Sequence, residues 1–282
     1  MIEVLFEERT VLLKTGSRTY MIIADLHIGF ELDLKNKGIR LPLQTDKIVT
    51  KLSGLLNKYN VYGVVILGDL KHSLLGYNRR EAEDVRWLVE QIYQFANEVV
   101  LVPGNHDSNI EEILHGLGVR ICSSRGIRVK NSELSVGLFH GHAWPSLRVL
   151  SCEILIMGHI HPTVGLRDSM GLRYIEPVWV RVRVDKDDLA YSVCKHLGID
   201  PGDDPLVSLK MAQGVSLGTK WILIMPAFNP FLSGLMVNEI TKVVRMSPIL
   251  SAVSEHVEHS EVYLCNGTYL GSPRLLHTLY GI

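Results

Sequence analysis

Paired thiols are missing from this sequence. Its four cysteines, Cys122, Cys152, Cys194 and Cys265, lie far apart and form no Cys-x-x-Cys pair. That excludes a disulfide framework and a thiolate zinc site, and it suits a reducing compartment. A long hydrophobic run is missing too: no apolar stretch approaches the ~20 residues that span a bilayer. The opening MIEVLFEERT also lacks the layout of a signal peptide. A cytoplasmic location with no membrane partner is therefore expected. Nor is there an excess of one charge. With 29 Lys and Arg against 30 Asp and Glu and a net charge of −1, the surface as a whole does not attract polyanions, and any phosphate binding must be local. Internal repeats and low-complexity tracts are absent as well. What remains is 282 residues, 46% hydrophobic and 21% charged, an ordinary globular composition with length for a substantial core.

Residues 2–6, 11–13 and 20–24 read as strands, the last two separated by a turn at Thr15-Gly16-Ser17. Ile48, Leu52, Leu55, Leu56 and Tyr59 recur at helical spacing behind Pro42, which predicts a helix over 43–59. A buried strand at 64–67, a helix at 79–96, a β-branched run at 99–102 and a helix at 108–117 continue the alternation. Closely spaced strands at 118–122, 127–129, 134–139, 154–157 and 172–184 follow. This order suggests an α/β layer joined to a second sheet. Residues 185–218 read as an insertion within one domain spanning 1–282. They predict one helix, capped by the acidic stretch at 185–188 and stopped by Gly198, and then an acidic Gly/Pro turn. The apolar run 221–225 resumes the strand pattern, which is expected to continue to the end.

Seven of the twelve histidines fall in five short clusters: ADLHIG (24–29), LGDLKH (67–72), PGNHD (103–107), FHGHAWP (139–145) and MGHIHP (157–162). Each follows a predicted apolar strand. In an open α/β sheet the carboxyl ends of the strands converge on one crevice, so loops from five strands can surround one point. A single histidine beside an apolar run is usually a core or surface residue. Five clusters in the same position relative to their strands point instead to a shared centre. Asp25, His27, Asp69, Asn105, His140, His159 and His161 combine two carboxylates, one amide oxygen and four imidazoles. That is too many ligands for one tetrahedral ion with an open position, and the right number for two ions if one carboxylate bridges. The mixed nitrogen and oxygen set suits manganese, iron, cobalt, nickel or zinc. Two divalent ions against two carboxylates leave about two units of positive charge, which matches the transition state of a phosphate ester.

In the order D-x-H (25–27), G-D (68–69), G-N-H-D (104–107), H-G-H (140–142) and G-H-x-H (158–161), the chain resembles the calcineurin-like metallophosphoesterase superfamily over about 20–162. The resemblance implies an αββα four-layer sandwich, two mixed β-sheets flanked by helices, with a two-metal hydrolytic centre. Residue by residue, it implies Asp25, His27 and His161 on one metal, Asn105, His140 and His159 on the other, and Asp69 bridging both. Manganese is the leading candidate for both ions. His106 would sit beside the scissile phosphate as an acid or charge stabiliser. GDLKH (68–72) is similar to the GDLFH of SbcD-type repair exonucleases, which implies that His72 helps place a nucleic-acid phosphate. HGHAWP (140–145), EPVW (176–179) and LIMPAFNPFLSGLMVN (223–238) resemble the ICC-like phosphoesterases of archaea and bacteria. Those are linked to DNA ligase and helicase repair systems and include the archaeal helicase-associated nuclease. His142 would support its loop or touch substrate. The basic groups Arg125 with Arg128 and Lys130, and Arg181 with Arg183, would track a phosphate backbone, the second pair from one face of a strand. By composition alone PAFNPFLSG reads as structural.

The leading functional expectation is a metal-dependent DNA nuclease or phosphodiesterase linked to repair. Its expected partners are DNA, single-stranded or with single-stranded ends, a repair helicase or ligase, and a second copy of the chain in a homodimer. The alternative enzyme is a small-molecule phosphoesterase acting on nucleotides or cyclic nucleotides. A third reading is a binding scaffold that kept the fold and lost the chemistry. The complete set of polar residues argues against it, because a scaffold has no use for a cluster that is costly to bury.

Overall fold

A computed structural model describes residues 1–39, 41–42, 44–130 and 135–280. Strands β1 (Ile2–Leu5), β2 (Thr10–Thr15), β3 (Arg18–Ile23), β4 (Gly63–Leu67), β5 (Glu98–Val102) and β6 (Arg120–Ile121) form one sheet in that order. A second sheet is built from β7 (Ile127–Lys130), β8 (Ser135–Leu138), β9 (Ile154–Met157), β10 (Thr163–Arg167), β11 (Arg173–Arg183), β12 (Trp221–Ile224), β13 (Glu261–Leu264) and β14 (Tyr269–Gly271). Its order is β14-β13-β11-β12-β9-β8-β7, with β10 paired only to β11. Both sheets are mixed. β3, β4 and β5 run parallel in the first, and β8, β9 and β12 run parallel in the second.

Period-two alternation divides the side chains between two layers. Ile22, Val65, Val100 and Val102 point inward and meet Val136, Leu138, Ile156, Trp179 and Met225 of the second sheet in one buried cluster. Their neighbours Met21, Ile23, Val64, Ile66, Val99 and Leu101 point outward. There they pack beneath the helices α1 (Phe30–Asn36), α2 (Thr45–Tyr59), α3 (Arg79–Tyr93) and α4 (Ile110–Leu114). α2 turns Ile48, Val49, Leu52, Leu55 and Leu56 to that face. α3 starts where the Asn78 side chain accepts the Glu81 N–H at 2.9 Å, and buries Val85, Leu88, Val89 and Ile92. The outer face of the second sheet is covered by α5 (Leu147–Leu150), α6 (Lys186–Leu197), α7 (Pro205–Gln213), α8 (Ile240–Arg245), α9 (Pro248–Ala252), α10 (Ser254–Glu258) and α11 (Pro273–Tyr280). Leu189, Val193, Leu209, Ile249 and Val257 meet Leu155, Val180, Val182 and Ile222 there. The layers are helix, sheet, sheet, helix: the αββα sandwich.

Several local expectations change. Residues 185–218 hold two helices, α6 and α7, not one helix and a turn. Asp204 caps the second by accepting the Val207 N–H at 3.0 Å, and Pro205 occupies its first turn, where a missing N–H costs nothing. Both helices connect β11 to β12, which pair directly, and both feed the same outer core. The strand pattern is interrupted after β12 and returns only with β13 and β14. Residues 240–258 form three short helices instead, because Val243, Ile249, Leu250, Val253 and Val257 cover a sheet face and are not paired within one. The helix expected at 108–117 contracts to α4, and the strand expected at 118–122 to β6; α1 and β10 were not foreseen. Position 43, where α2 was expected to start, and position 134, where β8 was, lie outside the described residues. Among the described residues no helix is long and apolar enough to cross a membrane.

Trp179 is a fully buried member of the inter-sheet cluster, and its Nε1 donates to the Phe6 carbonyl at 3.2 Å. Trp179→Ala is expected to cost about 3–5 kcal/mol by urea unfolding, with Trp179→Phe losing clearly less. A loss below 1 kcal/mol would mean that the two sheets do not depend on this contact.

Candidate metal centre

The parallel strands of both sheets end on the same edge of the sandwich, and the histidine clusters follow those ends. The loops after β3 and β4 extend the parallel pairing beyond the sheet. Asp25 N donates to Gly68 O at 3.2 Å, His27 N to Asp69 O at 2.8 Å, Ile28 N to Leu70 O at 2.9 Å and His72 N to Ile28 O at 3.0 Å. Asp107 ties in the loop after β5: its carboxylate accepts from Gly104 N at 2.8 Å and from Leu70 N at 2.9 Å. Glu81 pins the other end of the β4 loop by accepting His72 N at 3.0 Å and Ser73 N at 2.8 Å. Two motif glycines are required by close approach. A Cβ on Gly104 would strike the Asp69 carboxylate, and one on Gly158 the Asp25 carboxylate.

Three groups of side chains result; two of them share Asp69, and the third joins His27 to His72 and His106. Asp25, His27, Asp69 and His161 offer atoms all within 4.8 Å of one another, and so do Asp69, His140 and His159. In the first group His27 Nε2 lies 3.2 Å from Asp69 Oδ2, and His161 Nε2 lies 3.2 Å from Asp25 Oδ1. In the second, His140 Nε2 is 3.3 Å from Asp69 Oδ2, 3.3 Å from Asn105 Oδ1 and 3.1 Å from His159 Nδ1. The far nitrogens are held by backbone: His140 Nδ1 at 2.8 Å from Leu67 O, His161 Nδ1 at 3.2 Å from Ser233 O and His159 Nε2 at 3.0 Å from Met246 O. Such anchoring leaves the opposite nitrogen of each ring free to ligate.

Asp25 and His140 are fully buried and Asp69 is 2% exposed. Burial alone would raise both carboxylates. The facing imidazoles outweigh it, and Asp25 beside His161 and His140, like Asp69 between His140 and His27, stays below the ordinary carboxylate range. His140 responds in kind. Burial opposes its charge, but Asp69 and Asp25 hold it up at about 9. His161 is raised beside Asp25 against the same penalty. Burial lowers His27, and it brings His72, His142 and His159 down to about 4, so these rings are neutral. The residues fit divalent cations by an independent sign as well: His27 Nε2 and His161 Nε2 are buried without a hydrogen-bond partner. Both residues belong to the first group, whose ligating atoms all lie within 4.8 Å of one another.

His106 stands beside the first group. Its backbone N–H donates to Asp69 Oδ1 at 2.9 Å, and its ring lies 4.7 Å from that of His27. Its Nδ1 contacts the His72 carbonyl, which leaves Nε2 facing away. His72 turns out to touch the centre directly: its Nδ1 is 3.2 Å from His27 Nδ1, so it orients that ring besides lining the open side. His142 lies with the second group, 5.3 Å from the His140 ring and 6.0 Å from that of His159. Arg181 and Arg183 are not brought to the centre. Their register opposite Leu223 and Trp221 sets Arg183 level with Ile154, at the starts of β12 and β9, whose other ends carry the site. Arg181 is moreover engaged by Glu261 at 2.6 Å. Arg128 contacts Ser151 Oγ at 3.4 Å, whereas Arg125 is exposed on the site edge, where its carbonyl accepts the Ser146 N–H at 2.9 Å. Sequence reasoning missed Asp107, Glu81, Ser233 and Met246. The last two act through backbone carbonyls and leave no residue-type signal, while Asp107 closes the quoted GNHD motif.

Residues 18–185 match the calcineurin-like phosphoesterase family model. No curated protein matches the chain. Among solved structures, a nuclease named MPE from Pseudomonas putida aligns at 18% identity over 95% of this chain and 94% of its own, with a TM-score of 0.52. The Yfce phosphoesterase of E. coli aligns at 21% identity over 53% of this chain and 74% of its own, with a TM-score of 0.34. An archaeal phosphodiesterase aligns at 18% identity over 53% and 78%, with a TM-score of 0.31. The family match spans well over half of the chain and includes all seven clustered polar residues, and the chain belongs to the calcineurin-like phosphoesterase family.

Proposed function

We propose that the chain is a two-metal phosphodiesterase that cleaves DNA. The observation that carries the reading is Asp69, a buried carboxylate shared by two groups of ligating side chains at the strand ends. Asp25, His27, Asp69 and His161 would hold one cation, and Asp69, Asn105, His140 and His159 the other, with manganese the leading candidate. When bound, such a pair supplies Lewis acidity toward phosphoryl oxygens and lowers the pKa of an attacking water. The chain does the rest. Asp25 and Asp69 stay ionised at neutral pH and so remain available as ligands. His72 holds the His27 ring in place. His106 has Nδ1 in contact with the His72 carbonyl, which leaves Nε2 as the atom that would give a proton to the departing oxygen. A nucleic acid as the substrate is supported by the alignment with the P. putida nuclease, which extends over nearly the full length of both chains. The near-neutral net charge favours the second reading, hydrolysis of nucleotides.

The deciding assay is manganese-dependent hydrolysis of labelled single-stranded DNA beside p-nitrophenyl phosphate and its bis-ester. Cleavage of DNA and of the bis-ester, with little action on the monoester, is expected. Action on monoesters and nucleotides alone would replace the nuclease reading with the second one.

Elemental analysis after manganese loading is expected to find about two ions per chain. Asp69→Asn should weaken both sites together, and Asn105→Ala chiefly one. One ion or none in the wild type contradicts the paired centre.

His106 is grouped with His27 and His72 but lies outside the seven residues assigned to the two cations, so His106→Ala should keep its metal and lose roughly a hundredfold in kcat on DNA. Full activity in that variant would remove His106 from the reaction.

A further inference from the structure

Beside His72 the surface carries aromatic rings that the hydrolytic chemistry leaves without a task. Phe30, the first residue of α1, is 6% exposed, and its ring centroid lies 6.3 Å from that of His72. Phe231 stacks on Phe30 with centroids 6.4 Å apart and planes 13° from parallel, yet it is 44% exposed. Lys47 of α2, itself exposed, holds Nζ 5.2 Å from the centre of the Phe231 ring. The order is linear: His72, then Phe30, then Phe231 with the lysine beside it.

The mount is rigid and anchored to the centre. Phe228 N donates to Ala24 O at 2.9 Å, and its ring is buried in the outer core of the first sheet. Asn229 Nδ2 donates to Leu26 O at 2.9 Å, while Asn229 Oδ1 accepts the Phe231 N–H at 3.0 Å. Two residues further on, the Ser233 carbonyl takes His161 Nδ1 at 3.2 Å. A single exposed apolar residue is unremarkable. An exposed ring backed by a second ring, braced on the loops that carry Asp25 and His161, and set beside an exposed ammonium is a different arrangement.

We propose that Phe231 and Lys47 form a nucleotide subsite: Phe231 stacks the base flanking the scissile phosphate, and Lys47 takes the next phosphate. The proposal rests on the phosphodiesterase reading above. Every base has a π face, so such stacking is tolerant of sequence and is worth roughly tenfold or more in affinity per base. Phe30 behind the ring keeps it in one orientation, so little side-chain freedom is lost on binding. The ammonium moves only from the ring to a neighbouring phosphate oxygen.

The test compares two activated diesters with the same leaving group, the 4-nitrophenyl ester of thymidine 5′-monophosphate and methyl 4-nitrophenyl phosphate, beside oligothymidylate binding. Phe231→Ala should raise KM for the thymidine ester about tenfold, with kcat near wild type and no change on the methyl ester; Phe231→Trp should restore it. Lys47→Ala should reduce the slope of log binding constant against log salt for oligothymidylate by about 0.7. If Phe231→Ala leaves the thymidine ester unchanged, or moves both esters equally, the subsite is overturned and the phosphodiesterase reading stands. A wild type that hydrolyses the methyl ester but neither the thymidine ester nor DNA overturns the nuclease reading, and the subsite with it.

Discussion

Everything at the edge of the sandwich depends on keeping two carboxylates ionised where almost no water reaches them. Asp25 is fully buried and Asp69 is 2% exposed. An isolated buried carboxylate would take up a proton and cease to be a ligand. Three contributions prevent this. Backbone N–H groups point inward, with His106 donating to Asp69 at 2.9 Å and His159 to Asp25 at 3.0 Å. Imidazoles face both groups, and two of them, His140 and His161, are raised in return. The remaining nitrogens are neutral or unpartnered, and there a divalent cation would complete the balance.

The same requirement shapes the backbone. Asp25, His27, Asp69, His159 and His161 all have positive φ, between 44° and 75°. Left-handed geometry in a residue other than glycine costs on the order of 1 kcal/mol or more each, although Asp and His tolerate it better than most. It persists because other contacts over-determine it. The 24–28 and 68–72 loops are zipped together by backbone hydrogen bonds, Asp107 bonds the β4 and β5 loops to each other, and Ser247 Oγ holds Gly141 O at 2.7 Å. Strain is thus concentrated in the residues that converge, and the loop-to-loop bonds carry it.

This explains what was legible in the chain. The centre is written in side-chain types at the ends of strands, so ADLHIG, LGDLKH, PGNHD, FHGHAWP and MGHIHP could be read directly. The first sheet was legible too, because its strands and long helices differ in period. The outer layer over the second sheet was not. α8, α9 and α10 span six, five and five residues, too few turns to establish a helical period, and they form because Ile249, Leu250, Val253 and Val257 have a sheet to cover. Tertiary packing decides such elements. Arg181 and Arg183 show the opposite error: strand alternation put them on one face correctly, but only the pairing register reveals at which end of the sheet that face lies.

The near-zero net charge is consistent with the proposed centre. Two ionised carboxylates alone would repel an incoming phosphate, and the upward shifts of His140 and His161 beside them offset that only in part. Bound cations would displace any proton there, because a ligating imidazole must be neutral. In the proposed paired centre, two divalent charges against two carboxylates would leave about two units of positive charge. Phosphate and cation affinities would then rise together, and linkage would make the coupling reciprocal. A chain that draws its substrate this way needs no field from its whole surface, which agrees with a net charge of −1. On the proposed reading, recognition beyond the phosphate would fall to the groups flanking His72, two aromatic rings and the ammonium of Lys47.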